Sequence, residues 1–316
     1  MPVRGEPQHI PQQDNHAASI DEPSRPPLSM RLITLGTVAI PFLGLLLAMV
    51  LLWNVAFSWV YLALFAGMYI LTAMGITVGF HRLFTHGSFK TPRPVKAILG
   101  VFGSMAIQGP LLTWVAVHRR HHQCSDSHGD PHSPHAHGGG ILGTIRGFLH
   151  AHVGWMFQSD DSGLDHYAGD LRKDKVLRGV SRMFLLWAVL GLVLPAAIAG
   201  LVTGTWTGVL LGFIWGGLVR VFFGHHVTWS INSVCHLWGS RPFHSHDESR
   251  NNALFGVLAF GEGWHNNHHA FPTSARHGLS WWQLDLSYLF IRGLGLIGLA
   301  RDIRVPEPSR IAIKRT

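Results

Sequence analysis

Nine histidines of this chain occur at spacings that could place their imidazoles around metal ions. They form three histidine boxes and one isolated position: His81-Arg-Leu-Phe-Thr-His86, His118-Arg-Arg-His121-His122, His265-Asn-Asn-His268-His269, and His236. Imidazole is the side chain most often used to hold a transition metal, and nine imidazoles exceed the ligands that one ion takes. The pattern therefore predicts a site for two metal ions.

The spacing within each box indicates its geometry. The second and third boxes place histidines at positions i, i+3 and i+4, which share one face of a helix. His81 and His86 are five residues apart, about 140° around an α-helix, so they do not share a face there. Because Gly87 follows directly, we expect the helix to end or loosen at His86, which lets both rings turn the same way. Asn232 lies one turn before His236 and could hold a water on the metal or orient a ligand.

The ligand types alone leave iron, copper and zinc open, since all three accept imidazole nitrogens. No cysteine completes any box, and a structural zinc site would close with four ligands. Zinc-assisted hydrolysis does not require a site pressed against a membrane. Iron that handles O₂ beside a buried alkyl chain does, so the setting of the boxes favours iron.

Two long uncharged stretches predict that the chain crosses a membrane. Leu32–Phe80 and Met183–Val219 contain no Asp, Glu, Lys or Arg, and charged residues are only 13% of the chain. Each stretch is too long for one span of about 20 residues and suits two spans with a tight turn. We place the spans at about 32–53, 59–80, 183–203 and 206–223, with turns near Asn54–Ser58 and Gly204–Thr207. The fold class is thus an all-α integral membrane protein with two transmembrane hairpins and a helical cap that holds the metals.

The charges predict the orientation and the ends of the chain. All Lys and Arg residues lie before, between or after the two hairpins, and therefore on one side of the membrane. The positive-inside rule makes that side cytoplasmic. The net charge of +8 then reflects orientation and attraction to anionic membrane lipid. No nucleic-acid recognition motif accompanies it, so no nucleic-acid partner is expected. Residues 1–30 are polar and Pro-rich and predict a disordered cytoplasmic tail, 31–305 form the membrane domain, and 306–316 form a basic C-terminal tail.

The boxes and their surroundings resemble those of the membrane fatty acyl desaturase family, and the variant is similar to the stearoyl-type delta-9 desaturases. Four further stretches carry the resemblance: Asp130-Pro-His132, His152-Val-Gly-Trp155, Thr228-Trp229, and Asn232-Ser-Val-Cys-His236-Leu-Trp-Gly239. The resemblance covers roughly residues 79–272. It implies a di-iron enzyme on the cytoplasmic side, in a bacterial inner membrane, that uses O₂ and two electrons to place a cis double bond in a saturated acyl chain, expected at delta-9.

The resemblance also implies a distribution of ligands. One iron would take His81, His86, His118, His122 and His268, and the other would take His121, His236, His265 and His269, with Asn232 reaching an iron through water. Trp229 matches a tryptophan that lines the acyl tunnel in the family, and is the best candidate for a substrate contact. Its alternative role is packing at the membrane interface or in the core.

The acyl carrier is where the sequence departs from the animal-type pattern. There an Asn near the tunnel mouth and an Arg-Asp pair contact coenzyme A, whereas Gly109, Ala116 and Val117 stand at the equivalent positions here. Ser159 and Asp160 replace a further basic pair. Because coenzyme A carries several phosphate charges, losing cations weakens the case for acyl-CoA and leaves an acyl chain on a membrane lipid as an alternative substrate. Compensating cations could come from a set of basic residues elsewhere: Arg119, Arg120, Arg172, Lys173 and Lys175.

Two alternative functions and one protein partner remain from the sequence. A membrane hydroxylase with the same boxes would insert oxygen, and a metal carrier or sensor would use the His-rich segments without catalysis. A carrier should hold ionisable groups within its spans, and these spans have almost none. No His-Pro-Gly-Gly haem motif occurs, so the electron donor is a separate protein of the ferredoxin, cytochrome b5 or reductase type. A loop with Asp126 and Asp130 also carries four histidines that could mimic a metal site, although a supporting or loop role is favoured: His128, His132, His135 and His137.

Overall fold

The computed structural model describes residues 26–54, 58–158 and 163–316, and its regular elements there are helices with a few isolated β-bridges. The α-helices in chain order are α1 (Leu28–Asn54), α2 (Trp59–Met74), α3 (Arg93–Ser104), α4 (Leu111–Cys124), α5 (Gly140–His152), α6 (Leu164–Arg172), α7 (Lys175–Arg182), α8 (Phe184–Thr203), α9 (Trp206–Gly212), α10 (Arg220–Leu237), α11 (Ala253–Leu258), α12 (His265–Ala270), α13 (Leu286–Leu296) and α14 (Pro308–Lys314). Two π-helices continue them: π1 (Gly75–Thr85) after α2, and π2 (Phe213–Val219) between α9 and α10. The predicted all-α class is confirmed.

In the described part of the chain, four helices are long and apolar enough to cross a membrane, as the uncharged stretches predict. They are the segments Leu28–Leu51, Trp59–Thr85, Phe184–Thr203 and Trp206–Leu237. The first and third agree with the sequence-based spans. The second and fourth run well past their predicted ends at residues 80 and 223. These extensions carry His81 and His236 out of the apolar region on continuous helices, which gives both ligand candidates rigid supports.

The second hairpin turns at the predicted place. Gly204 adopts a left-handed conformation at the end of α8, with φ of 66°, a region that glycine enters without steric cost. The side chain of Thr205 then caps the next helix by accepting a hydrogen bond from the backbone N–H of Gly208. Residues 55–57 of the first predicted turn, most of the N-terminal tail (residues 1–25), and Ser159 and Asp160 lie outside the described residues.

The π-helical segment π1 places the first box against the cap. A Cβ on Gly75 would lie 2.1 Å from the backbone nitrogen of Gly103, so only glycine lets this helix approach α3 so closely. All eleven residues of π1 are buried. π-Helical turns are rare and are frequently found at functional sites.

The cap is built from the segment between the hairpins and the segment after α10. Its core packs π1, α3, α4, α7 and α13 together through fully buried side chains that include Phe80, Leu111, Leu177 and Ile291. Burying such side chains contributes about 1.5–3 kcal/mol each and holds the histidine-bearing helices in register.

The C-terminal segment, which the sequence predicts to be a tail, is folded onto the cap. α14 lies in residues 308–314, and Phe243 forms a β-bridge with Arg315. The ammonium of Lys314 donates a hydrogen bond of 2.6 Å to the backbone oxygen of Ala270, at the end of α12. It also lies 5.2 Å from the ring centre of Phe271. The segment therefore braces the helix that carries the third box.

Candidate metal centre

The π-helix resolves the geometry of the first box. The sequence predicts that the helix ends or loosens at His86. The helix does end at Thr85, with His86 as its C-cap, and it is widened to a π-helix over Gly75–Thr85. In a π-helix the backbone hydrogen bonds join residues i and i+5. The N–H of His86 donates to the carbonyl oxygen of His81 over 3.2 Å, and the two ring centres are 4.9 Å apart. A five-residue spacing that separates the rings on an α-helix thus brings them together here.

Five histidines from three parts of the chain form the first cluster, with ligand nitrogens all within 4.8 Å of one another: His81, His86, His118, His122 and His268. Nε2 of His268 lies 3.1 Å from Nε2 of His81 and 2.9 Å from Nε2 of His122. Nε2 of His122 is in turn 3.1 Å from that of His118. A neutral imidazole carries one proton, so hydrogen bonds alone cannot satisfy all the imidazole nitrogens that converge here.

Four histidines form the second cluster under the same distance limit, and all four are buried: His121, His236, His265 and His269. Nε2 of His236 lies 3.0 Å from Nε2 of His265. Nε2 of His121 and of His269 are buried without a hydrogen-bond partner among the described residues. Buried polar atoms normally have partners, so these orphaned nitrogens fit a metal ligand role.

The two clusters are adjacent. His121 and His122 are neighbours on α4, yet they belong to different clusters because consecutive residues of an α-helix point about 100° apart. The rings of His122 and His269 stack with centres 4.4 Å apart across the boundary. This arrangement groups the nine histidines in the two sets that the resemblance implies.

Four carboxylates stand behind the clusters. Nδ1 of His236 lies 2.7 Å from Asp126, Nδ1 of His121 lies 3.0 Å from Asp130, and Nδ1 of His81 lies 2.6 Å from Glu262. A short hydrogen bond joins Nδ1 of His269 to Asp247. A carboxylate that accepts from Nδ1 fixes the tautomer whose Nε2 is free to bind a metal, and it also makes the imidazole more basic.

Protonation also suits metal binding. Burial lowers the pKa of His118, His122 and His268 well below the usual range, and neighbouring imidazoles lower it further, so these rings are neutral at pH 7. Burial by itself would raise the pKa of Asp130 and Asp247. The interactions with His121 and His269 outweigh burial and hold both pKa values well below the usual range. The first cluster therefore presents neutral nitrogens inward, and carboxylates stand on the outer side of both clusters, which fits divalent metal ions.

Sequence reasoning did not single out Asp247, Glu262 or His277. His277 is a further buried histidine beside the nine of the clusters, and its ring centre lies 4.5 Å from that of His268. The one local signal was the acidic residue between two glycines, Gly261-Glu-Gly263, three residues before the third box. Asp247 gives no comparable signal, because it meets His269 only through the fold.

The histidines of the loop after α4 take supporting positions. His132 is buried with its ring centre 4.3 Å from that of His121, and its backbone N–H donates to Asp130. His135 donates from Nε2 to the backbone oxygen of His236 over 3.0 Å. The ring centre of His137 lies 4.5 Å from that of His150, with the two rings tilted, and His128 is exposed. His121, Asp130 and His132 also lie within ligand distance of one another, but Asp130 already binds Nδ1 of His121.

An apolar cavity leads from the clusters into the membrane-spanning region. Its wall comes mainly from α2, π1 and α10, with side chains such as Ile76, Val221 and Ile231. Residues of both clusters line it, namely His81 and His118 of the first and His265 of the second. A narrow apolar space that ends at a metal centre suits an alkyl chain and excludes water.

Several polar side chains interrupt the apolar wall, and hydrogen bonds join three of them near the clusters. The amide nitrogen of Gln108 donates to the hydroxyl of Thr228 over 2.9 Å, and the indole N–H of Trp114 donates to the amide oxygen of Gln108 over 3.3 Å. The Trp114 ring stacks on His118, with centres 5.1 Å apart. These bonds tie α10, α4 and the turn after α3 together at the level of the metals and fix the shape of the cavity there.

A profile of the fatty acid desaturase family matches residues 57–292. The chain belongs to this family. It is 45% identical over 278 residues to a hex-5-enoyl-[acyl-carrier protein] acetylenase of Moorena producens (strain JHB), covering 87% of each chain. It is 42% identical to an acyl-CoA C20 Delta5-desaturase of Anemone leveillei, over 79% of this chain and 74% of that one. It is 39% identical to an sn-1 stearoyl-lipid 9-desaturase of Synechocystis sp. (strain ATCC 27184 / PCC 6803 / Kazusa), over 82% and 76%.

This membership confirms the resemblance seen in the boxes and makes the protein an oxidoreductase. The names of these relatives specify acyl chains on three different carriers and reactions at different positions of the chain. Family membership therefore establishes neither a delta-9 position nor a single carrier for this protein. The metal carrier or sensor is not retained as an alternative.

The predicted substrate contacts of this desaturase family member lie outside the cavity wall formed by the described residues. Trp229 packs against the rings of His225, His226 and His152, and the wall is formed at that level by Thr228 instead. Ala116 is buried in the core of the cap, and Gly109 adopts a positive φ of 97° beside Gln108. Val117 is half-buried on α4. Asn232 does line the cavity, together with His118 and His265.

Arg119 is one of the cations that could replace the missing ones, but its guanidinium already binds groups of the protein itself. Its guanidinium donates to the backbone oxygens of Phe84, Thr85 and Tyr167 and forms an ion pair with Asp170. It therefore anchors α6 to the end of π1 beside the first box. A phosphate that approached it would have to compete with four existing interactions.

Proposed function

We propose that the protein is an O₂-dependent desaturase that introduces a cis double bond, at delta-9, into a saturated acyl chain carried on coenzyme A or on a membrane lipid. One observation carries the proposal: the apolar cavity between the membrane-spanning helices ends on histidines of both clusters. An alkyl chain in this cavity presents its methylenes to the two metal ions and not to solvent. Positioning of this kind is a large part of catalysis for an unactivated chain.

In this proposal both metals are iron. The first iron binds His81, His86, His118, His122 and His268. The second iron would bind His121, His236, His265 and His269, with Asn232 reaching an iron through water. The support is the convergence of the nitrogens, the neutral state that burial imposes on His118, His122 and His268, and a set of orphaned Nε2 atoms: those of His86, His121 and His269.

The protein's own groups prepare the reaction. Asp126, Asp130, Asp247 and Glu262 hold the Nδ1 side of four imidazoles, and the cavity wall excludes water and aligns two adjacent methylenes. Bound iron supplies activation of O₂ at this point. Two electrons from the donor, two protons, one O₂ and one –CH₂–CH₂– unit give one –CH=CH– unit and two waters. Cavity shape decides which methylenes reach the metals.

Both electrons enter from a separate protein of the ferredoxin, cytochrome b5 or reductase type. The histidine clusters lie on one side of the spans, and we propose that this side is cytoplasmic, in a bacterial inner membrane, and that both chain ends lie on it. A positive surface there attracts an acidic redox partner and raises its association rate.

Expression in a bacterial strain that lacks its own desaturase tests the reaction. Gas chromatography with mass spectrometry of the fatty acids should show a new cis alkene at carbon 9. Hydroxy acids without alkenes would favour the hydroxylase alternative. An alkyne formed from a supplied terminal alkene would instead extend the likeness to the Moorena producens acetylenase, which is the relative with 45% identity.

Isolated membranes then distinguish the carriers. Labelled stearoyl-CoA, stearoyl lipid and stearoyl-acyl-carrier protein are supplied separately with a reduced donor, and products are followed over time. Conversion of the CoA or lipid substrate supports the proposal. Conversion of the acyl-carrier protein substrate alone would replace the proposed carrier.

Substitution of one ligand in each cluster tests the metal assignment. His121→Ala and His268→Ala should abolish unsaturated product while the protein still inserts in the membrane, because each removes an imidazole from one cluster. His128→Ala is the matched control, since His128 is exposed in the same part of the fold. Full activity in either ligand variant, with metal content measured, would contradict the assignment.

A further inference from the structure

His277 is a buried histidine that neither the boxes nor the proposed ligand set uses. It follows the third box by eight residues and is only 1% exposed. Its ring centre lies 4.5 Å from that of His268 and 5.4 Å from that of His81, both in the first cluster. Nε2 has no hydrogen-bond partner among the described residues. A buried polar atom without a hydrogen-bond partner lowers stability, so an imidazole in this state beside a candidate metal site needs an explanation.

The backbone of His277 is anchored to residues that adjoin two of the cluster histidines. Its N–H donates to Asp285 over 2.6 Å, and Asp285 also accepts from the guanidinium of Arg82, the residue after His81. Its carbonyl oxygen accepts from the amide of Asn267 over 2.7 Å, the residue before His268. The ring is therefore held at a defined place and is not carried by a loose loop.

Glu262 connects His277 to the first cluster. Its Oε1 pairs with the guanidinium of Arg82 in a short ion pair. Its Oε2 lies 2.6 Å from Nδ1 of His81 and 3.4 Å from Nδ1 of His277. Oε2 thus has an imidazole on each side, and Oε1 is held by a cation, so the plane of the carboxylate is defined by three neighbours.

We propose that His277 is a positioning residue for the metal of the first cluster, a divalent transition-metal ion. Its Nδ1 faces Oε2 of Glu262 across 3.4 Å and helps to hold the carboxylate that orients His81, while its ring lies beside the ring of His268, with centres 4.5 Å apart. The inference rests on the proposed function only in requiring that the first cluster binds a metal.

The test compares metal retention in three variants of the full-length protein, purified in detergent and loaded with ⁵⁷Fe. His277→Ala removes the donor and the ring. His277→Asn keeps an amide N–H near the position of Nδ1. His128→Ala is the control, because it removes an exposed imidazole from the same face of the membrane.

Removal of an outer partner of a metal ligand typically weakens metal binding about 10- to 100-fold. In the His277→Ala variant, one of two irons should be lost to a chelator with an affinity reduced by about that factor, and one of two Mössbauer quadrupole doublets should change. His277→Asn should recover most of the retention and the spectrum. Gel filtration and thermal unfolding show that each variant remains folded.

Wild-type retention and spectrum in His277→Ala would overturn the inference, and so would a His277→Asn variant as defective as His277→Ala. The readout does not depend on turnover. If the wild-type protein holds two irons but forms no alkene, the proposed function fails and the inference about His277 stands. If the wild-type protein holds no metal in the first cluster, both fail.

Discussion

Replacing Asp247 by Asn should weaken metal binding at the second cluster without unfolding the cap. Oδ2 of Asp247 accepts from Nδ1 of His269, and Oδ1 accepts from the backbone N–H of Ser249 over 3.1 Å and from the hydroxyl of Ser245 over 2.9 Å. With these donors on the Oδ1 side, the amide oxygen of Asn stays there. The NH₂ group then faces Nδ1 of His269.

Two N–H donors cannot share that contact. His269 must either leave Nδ1–H unpaired or move its proton to Nε2, the atom that faces the second cluster. A buried donor without a partner costs about 1–3 kcal/mol, and each 1.4 kcal/mol corresponds to tenfold in binding. We therefore expect metal binding at the second cluster to weaken about 10- to 100-fold, in the range observed when such partners are removed elsewhere.

The assay is iron retention against a chelator, followed by the initial rate of desaturation at saturating iron. Asp302→Asn is the control, because Asp302 is 62% exposed and pairs only at the surface with Lys90. The reasoning is refuted if Asp247→Asn retains both irons as tightly as the wild-type protein, or if Asp302→Asn shows the same loss.

Three further predictions concern packing, the cavity and pH. Gly75→Ala should lower the free energy of unfolding by about 1–3 kcal/mol, because the new Cβ would overlap the backbone of α3. Gly67→Ala should leave it unchanged, since nothing lies within 4 Å of that position. Thermal unfolding in detergent measures both. Thr228→Val should reduce the desaturation rate but leave iron content unchanged, because Gln108 loses its acceptor on the cavity wall. Lowering the pH from 6.5 toward about 4 should destabilise the metal-free protein, since burial lowers the pKa of His277 to about 4 in the folded state and the unfolded chain takes up its proton first. In His277→Asn, the free energy of unfolding, measured by intrinsic fluorescence, should change less steeply with pH than in the wild-type protein.

Each of these three has a distinct contrary outcome. Equal unfolding temperatures for Gly75→Ala and Gly67→Ala would mean that π1 moves away from α3 without cost. Loss of iron in Thr228→Val would place that residue in metal binding. A stability that is flat between pH 6.5 and 4 in the wild-type protein would mean that His277 gains a compensating partner on protonation.

Local spacing predicted much of the site. The positions i, i+3 and i+4 of the second and third boxes fix which imidazoles share a helix face, whatever the rest of the fold does. The uncharged stretches likewise predicted the number of spans, because a membrane interior requires apolar helices. The widening of π1 could not be predicted in this way, because the five-residue spacing of His81 and His86 does not by itself distinguish an α-helix from a π-helix.

The sequence by itself determined the fold class, the spans and the nine candidate imidazoles, because hydropathy and helix periodicity are properties of neighbouring residues. Tertiary structure alone decided what stands behind those imidazoles. Asp126 reaches His236 across 110 positions of the chain, and Glu262 lies against His81 although 181 positions separate them. No local pattern records such contacts, since buried carboxylates are held near imidazoles by packing between helices. The same packing encloses the apolar cavity and decides which of its residues an acyl chain would meet.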